Sequence, residues 1–244
     1  MTGFTASVSE SEPTFEARLE QAKLEAMKEL AYGASHEINN PLANISARAQ
    51  MLLRDECDPE RRRALEAINY QALRAHEMIS DLMLFARPPR LDRQPLEFAP
   101  LVRQVLDELR IDCERRGIAT AFEAADEPTE LIGDAVQLAV AVKAVIANAV
   151  EAIGREGRIE ASLDSDQHAV RLTVRDDGPG IPPEVRPHIF EPFFSGREAG
   201  RGLGFGLSKA WRIVTEHGGR IRVESGADGG ATFIVELPAS GGGG

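Results

Sequence analysis

Two runs of apolar residues with heptad spacing occupy the first third of the chain. Apolar residues recur every three or four positions over residues 19–52 and again over residues 65–86. This spacing predicts two amphipathic helices. Between them, Asp58 suits a helix cap and Pro59 a first helical position, and Pro88 ends the second run. The sequence therefore predicts a helical hairpin.

A hairpin of this kind carries a narrow apolar stripe that it cannot cover by itself. A second copy of the hairpin would cover the stripe, which predicts a dimeric four-helix bundle. The alternative is that the stripe packs on the rest of the same chain. The regular heptad spacing of both helices favours packing of helix against helix.

The rest of the chain alternates between helix and strand patterns. Helices are predicted over residues 96–116, 134–153 and 207–217, and strands over residues 118–122, 158–163, 170–175, 220–224 and 232–237. This mixture of helices and antiparallel strands predicts a two-layer α/β sandwich. The fold class we expect is α+β, with the helical hairpin followed by the sandwich.

The length of 244 residues, 43% of them hydrophobic, suits two domains. The predicted organisation is a disordered tail (1–13), the hairpin (14–87), an interdomain linker (88–95), the sandwich domain (96–238) and a disordered glycine-rich tail (239–244).

Charge and cysteine usage exclude several classes of protein. The formal net charge of -11 disfavours a nucleic-acid-binding surface. Cys57 and Cys113 lie in no metal-like spacing, and no apolar run reaches the roughly 20 residues of a membrane span. We expect a cytoplasmic chain without a disulfide, a membrane segment or a nucleic-acid partner.

The first cluster with chemical potential lies within the first predicted helix. His36 and Asn40 are four residues apart and share a helix face, and Glu37 is rotated by about 100 degrees. A carboxylate beside an imidazole can hold or withdraw one ring proton, which leaves the other nitrogen free to attack phosphorus. A helical histidine beside a glutamate is also a common surface pair, so this cluster alone does not establish a function.

Three further clusters suit a nucleotide. Asp176 ends a predicted strand, and Gly178 and Gly180 after it allow a flat ligand to approach the backbone, although such a sequence also forms ordinary turns. The glycine-rich run 200–206 opens a predicted helix, whose first amides can bind phosphate oxygens. Asn148, on a long predicted helix, has an amide oxygen that can ligate Mg²⁺.

These four clusters, in their order along the chain, resemble those of the sensor histidine kinases. The second half is similar to the superfamily that these kinases share with gyrase, the Hsp90 chaperones and MutL. The family motif His-Glu-x-x-Asn-Pro is matched by His36, Glu37, Asn40 and Pro41. The resemblance implies that His36 is the phosphoacceptor, that Glu37 assists as a base, and that Asn40 orients water in a reverse, phosphatase reaction.

The resemblance also implies the nucleotide-binding residues. Asn148 resembles the magnesium-binding asparagine of the family, and Asp176 resembles the acceptor for the adenine amino group. The other residues implied to bind the cofactor lie after Asp176, in the family's mobile lid over the nucleotide, and in the glycine-rich run. They are Gly178, Gly180, Phe194, Arg197, Arg201, Gly202, Leu203, Gly204 and Gly206.

The function implied by the resemblance is autophosphorylation of His36 by ATP with Mg²⁺ in a homodimer. The phosphoryl group would then pass to an aspartate on the receiver domain of a response regulator. The alternative is a dimeric phosphotransfer or scaffold protein with a degenerate ATP-binding domain. A gyrase-type ATPase would need a glutamate base one turn before Asn148, where this chain has Ala144.

Overall fold

The computed structural model describes residues 37–86, 89–125, 128–192, 194, 204–226 and 229–240. The described residues form two separate compact units, divided between residues 87 and 88. Most of the two predicted tails lies outside the described residues. The predicted domain ranges stay predictions.

The first unit is a helical hairpin. Helix α1 covers residues 37–53 of the described chain, and helix α2 covers Pro59–Ala86. The carboxylate of Asp58 begins α2, because its Oδ1 accepts hydrogen bonds from the backbone N–H groups of Glu60 and Arg61, both at 2.9 Å. The break between the helices therefore lies where the sequence predicted it.

The interior of the hairpin is narrow and partly polar. Ala49 of α1 and Ala72 of α2 are buried, and small side chains allow the helices to approach closely. Next to them, Ser46 donates a hydrogen bond of 2.7 Å to Asn69 Oδ1, and Gln50 donates one of 3.2 Å to Ser46 Oγ. These contacts fix one register of α1 against α2.

A second row of apolar residues on the hairpin remains uncovered. Ile38, Ile45 and Leu52 lie seven residues apart on α1 and are exposed, as is Ile68 on α2. The single stripe predicted from the sequence is therefore divided into two rows. One row faces inside the hairpin, and the other faces away from it.

The described residues of the second unit form seven strands and three long helices. In chain order these are β1 (Gln94–Glu97), α3 (Phe98–Arg116), β2 (Ile118–Ala124), β3 (Glu130–Gly133), α4 (Ala135–Ile153), β4 (Gly157–Ser165), β5 (Ala169–Asp176), a short 3-10 helix (Arg186–His188), α5 (Gly206–Glu216), β6 (Arg220–Gly226) and β7 (Gly229–Pro238).

Five strands form the main sheet in the order β2-β4-β5-β7-β6. The pair β2-β4 is parallel and the other pairs are antiparallel, while β1 and β3 form a separate two-stranded sheet. Alternate residues of β4 are buried, namely Ile159, Ala161 and Leu163, which is the pattern of a sheet covered on one face. The predicted fold class, a helical region followed by a two-layer α/β domain, is confirmed.

Helix α4 is the central helix of this unit. It is long and apolar enough, by length and composition alone, to cross a membrane. Here it packs against the sheet and α5, and Val145, Ile146 and Ala149 are fully buried. A helix that is apolar on nearly all sides is expected in the core of a domain, and α4 occupies that position.

The opposite face of the sheet carries a charged cluster around Glu236 of β7, which is 5% exposed. Its carboxylate accepts hydrogen bonds from Arg220, from Arg171 Nε at 2.9 Å and from an Arg222 nitrogen at 3.3 Å. The bonds from Arg220 and Arg171 lower the pKa of Glu236 from 4.5 to about 2. The ionised form is therefore the one that the fold stabilises.

We expect Glu236→Gln to lower the free energy of unfolding at pH 7 by about 1–3 kcal/mol. Because the pKa is depressed on folding, this contribution is complete above the ordinary pKa of the carboxyl. It is lost as the pH falls toward about 2. Urea unfolding followed by circular dichroism at pH 7 and pH 3 checks this, with Glu160→Gln, in an exposed pair with Arg158, as the control. An equal deficit at both pH values would contradict the prediction.

Candidate active site

Asp176 is the last residue of β5 and is 2% exposed. Its Oδ1 accepts hydrogen bonds from the backbone N–H groups of Gly178, at 2.9 Å, and Ala231, at 3.2 Å. Its Oδ2 is buried and has no hydrogen-bond partner among the described residues. Burial raises the pKa of this carboxyl. A buried acceptor without a partner costs roughly 1–3 kcal/mol, which is typical of a group kept for binding.

Gly178 and Gly180 follow Asp176 in a loop that is closely packed at both positions. A Cβ atom on Gly178 would lie 2.9 Å from Asp176 Oδ1. Gly180 has a φ of 78°, and a Cβ there would lie 2.8 Å from Ser225 Oγ. The sequence predicted both glycines for this site, and the structure supplies the steric reason for them.

The paired ends of β6 and β7 form a second side of this loop, which was not predicted from the sequence. Gly230 N donates a hydrogen bond of 2.7 Å to Gly178 O. Ser225 Oγ accepts one of 2.9 Å from Ile181 N and donates one of 2.9 Å to Gly230 O. A signal was available, since the adjacent Gly229 and Gly230 before an apolar strand indicate a turn.

Asn148 lies on α4, half-buried, one turn before Ala152 and on the same helix face. A Cβ on Gly178 would lie 3.4 Å from the backbone of Ala152, so the loop after Asp176 packs against this end of α4. The structure therefore brings the loop with Asp176 next to the helix that carries Asn148.

The first amide groups of α5 have no acceptor within the helix itself. Gly206 is its first residue, and no side-chain hydrogen bond caps this end. Gly204 has a φ of 72°, and within the described part of the chain no atom lies within 4 Å of a Cβ on Gly206. His217, which follows α5, accepts a hydrogen bond from the backbone N–H of Asp134, which precedes α4. The two packed helices therefore run antiparallel, and the first residues of α5 lie toward the end of α4 that carries Asn148.

Phe194 is half-buried next to the short 3-10 helix. Its ring centroid lies 5.6 Å from that of His188, and its N–H donates a hydrogen bond of 3.3 Å to Glu191 O. His188 Nδ1 pairs with Glu191 Oε1 at 2.8 Å. These contacts hold Phe194 against the 3-10 helix.

Several predicted site residues lie outside the described residues: His36, Arg197, Arg201, Gly202 and Leu203. Glu37 and Asn40, which follow His36 in the sequence, are described and are exposed on α1. The adjacent Asn39 is paired through its Oδ1 with His76 Nδ1 of α2, at 2.9 Å. The described part of the predicted motif is therefore open to a reactant.

Two family models match the chain. Residues 26–90 match the His Kinase A (phospho-acceptor) domain. Residues 133–241 match the histidine kinase-, DNA gyrase B- and HSP90-like ATPase. These matches fall on the helical hairpin and on the sandwich that contains Asp176, respectively.

A curated relative is the sensor histidine kinase ZraS of Klebsiella oxytoca, 33% identical over 228 residues, which are 93% of this chain and 49% of the relative. The chain thus spans about half the length of this curated relative. Among solved structures, the catalytic domain of histidine kinase ThkA is 30% identical with a TM-score of 0.55. The match covers 60% of this chain and 97% of that domain.

ThkA has also been solved in complex with the response regulator protein TrrA. That structure has a TM-score of 0.66 and is 25% identical, and the match covers 95% of this chain and 69% of ThkA. Fold and site together define a class of protein with a phospho-acceptor hairpin and an ATP-binding sandwich. The chain belongs to the sensor histidine kinase family. This confirms the resemblance seen in the sequence, while the roles of single site residues stay predictions.

We expect Gly230→Ala to lower the free energy of unfolding by about 2–4 kcal/mol, because the residue has positive φ and its Cβ would meet a backbone oxygen. The φ is 75°, and the Cβ would lie 2.5 Å from Asp176 O. The control, Gly206→Ala, meets no described atom and should change stability by less than about 1 kcal/mol. Chemical unfolding checks both variants, and equal losses would contradict the account of this turn.

Proposed function

We propose that this chain transfers the γ-phosphoryl group of ATP to its own His36 and then to an aspartate on the receiver domain of a response regulator. The observation that carries the proposal is the buried Oδ2 of Asp176, for which the described ranges supply no hydrogen-bond partner. A carboxylate oxygen in this state matches the exocyclic amino group of adenine, which donates hydrogen bonds. The glycines beside it allow the loop to pack closely around Asp176 and against α4, which keeps this carboxylate in place.

Asn148 is the proposed ligand of Mg²⁺. The residues present fit this ion, because an amide oxygen is a suitable ligand and Mg²⁺ bound to nucleotides keeps several waters and phosphate oxygens. No cluster of three or more His, Cys, Asp or Glu residues that could hold a metal occurs in the described ranges. A site with a single protein ligand agrees with this. If bound there, the ion would neutralise part of the negative charge of the phosphates.

The phosphates of ATP lie, in this proposal, at the N-terminal end of α5. Its free amides and the positive end of the helix dipole attract phosphate oxygens. Gly204 and Gly206 keep side chains away from that end, and Gly202 and Leu203 precede it in the sequence. Arg197 and Arg201, which follow Phe194 in the sequence, would add positive charge.

The transfer to the histidine is a displacement at phosphorus. A ring nitrogen of His36 attacks the γ-phosphorus, the bond from that phosphorus to the β,γ-bridging oxygen breaks, and ADP leaves with the electron pair. Glu37 holds or accepts the proton of the other ring nitrogen. Asn40 orients a water molecule when phosphate is removed in the reverse reaction. The exposure of Glu37 and Asn40 supports access to this face of α1.

The chain acts as a homodimer in this proposal. The exposed row of Ile38, Ile45, Leu52 and Ile68 supports it, since a second hairpin would cover these side chains. The solved complex of ThkA with TrrA supports a response regulator as the partner. With a second hairpin in place, the predicted four-helix bundle would be complete.

Labelling with ATP that carries a radioactive γ-phosphate tests the proposal. We expect His36→Gln to abolish acid-labile labelling, because the attacking nitrogen is lost, while the dissociation constant for ATP stays within about 2-fold, since Asp176 is unchanged. Asp176→Asn should weaken ATP binding roughly 100-fold or more, because a donor replaces the acceptor Oδ2.

The matched control is His76→Gln, which replaces an exposed histidine of α2 and should leave labelling intact. Persistent labelling of His36→Gln would assign the acceptor elsewhere, with His76 and His188 as the next candidates. A wild-type chain that binds a response regulator, does not bind ATP and does not become labelled would favour the scaffold alternative.

A further inference from the structure

The segment that follows the division between the two units is fastened to the ATP-binding unit by Asp134. This residue precedes α4, and its Oδ1 caps the helix by accepting bonds of 3.0 Å from the N–H groups of Val136 and Gln137. Its Oδ2 accepts a hydrogen bond of 3.0 Å from the backbone N–H of Asp92. One carboxylate thus holds the helix end with one oxygen and the segment with the other.

Two more contacts hold the same segment. Gln137 Nε2 donates a hydrogen bond of 3.3 Å to the carbonyl oxygen of Pro89. Arg93 donates one of 2.6 Å to the carbonyl oxygen of Glu216, the last residue of α5. Residues 89–93 are therefore attached both to the first residues of α4 and to the end of α5.

His217 joins these two helix ends. Its Nε2 accepts a hydrogen bond of 3.0 Å from the backbone N–H of Asp134, and its Nδ1 donates one of 2.8 Å to Ile213 O, which assigns the proton to Nδ1. The exposed fractions are 8% for Asp134, 3% for Gln137 and 6% for His217. We call Asp134, Gln137, Glu216 and His217 the linker latch.

The bond from Asp92 is stronger than a neutral hydrogen bond because Asp134 is ionised. Burial acts to raise the pKa of this carboxyl, but the N–H donors of Asp92, Gln137 and Val136 together hold it below its ordinary value. Hydrogen bonds to an ionised acceptor are roughly twice as strong as neutral ones. A helix cap alone would use only Oδ1, so the bond to Asp92 is an additional function of this side chain.

We propose that the linker latch makes residues 89–93 a fixed part of the ATP-binding unit, and that Asp134 and Gln137 are positioning residues for the phosphorylation of His36. This inference rests on the proposed function. The effective concentration of a tethered reactant falls as its free tether lengthens. Opening the latch would add residues 89–93 to the free tether and so lower the frequency with which ATP meets the histidine.

Two substitutions separate the latch from the stability of the fold. Asp134→Asn keeps Oδ1 as the helix cap, but its amide nitrogen cannot accept the bond from Asp92. Gln137→Met removes the donor to Pro89. It also removes Gln137 Oε1, which is buried without a partner in the described part of the chain, so this variant should be at least as stable as the wild type.

The test measures three quantities on the full chain: the labelling rate constant at saturating ATP, the dissociation constant for ATP, and the melting temperature. We expect Asp134→Asn to lower the rate constant about 3- to 10-fold, and Gln137→Met about 2- to 5-fold, with ATP affinity within about 2-fold of the wild type. Asp166→Asn is the matched control, since Asp166 accepts two backbone N–H bonds in the turn between β4 and β5 and should leave the rate unchanged.

Unchanged rate constants in both latch variants, with a labelled wild type, would overturn the latch and leave the proposed function standing. An ATP affinity that falls as much as the rate constant would also overturn it, because the residues would then act on the nucleotide site. A wild type that binds ATP but is not labelled would contradict the proposed function, and the positioning role with it.

Discussion

The fixed carboxylate of Asp176 is the contact around which the candidate site is arranged. Two backbone N–H groups hold its Oδ1, which turns Oδ2 into a buried acceptor. One of the donors comes from its own loop and the other from β7, the neighbouring strand in the sheet. The loop at Gly178 then packs against the end of α4, the helix that carries Asn148. Burial of Oδ2 lowers the stability of the fold but leaves an acceptor for a ligand, a trade-off that is typical of functional sites.

The proposed chemistry is divided between two units that differ in their physical character. The hairpin has a narrow, partly polar interior and exposes both an apolar row and the motif residues Glu37 and Asn40. The second unit has a dense apolar core around α4, and the loop after Asp176 packs against this helix. Phosphoryl transfer depends mainly on alignment and charge neutralisation, so the attachment between the units matters as much as either site. Asp134 holds the segment that follows the division on the second unit, through its bond from the backbone N–H of Asp92.

Short-range patterns in the sequence predicted most of the elements, including the cap at Asp58 and the buried alternation of β4. Strand β1 was not predicted: its first two residues were assigned to the linker and its last two to the following helix, because a four-residue strand that contains Pro95 carries little periodic signal. The apolar stripe of the hairpin was predicted as one row, because spacing alone does not say which residues face the second helix. Gly230 and Asp134 act through partners distant in sequence, which only the order β5-β7-β6 and the adjacent ends of α4 and α5 bring together.

The central claim is that Asp176 Oδ2 accepts a hydrogen bond from the adenine amino group. Inosine triphosphate is the direct probe, because it carries an oxygen where ATP carries that amino group, while its ribose and phosphates are the same. Calorimetric titration of the full chain with each nucleotide and Mg²⁺ measures the difference. The account predicts that inosine triphosphate binds roughly 100-fold more weakly than ATP. Equal affinity for the two nucleotides would contradict it.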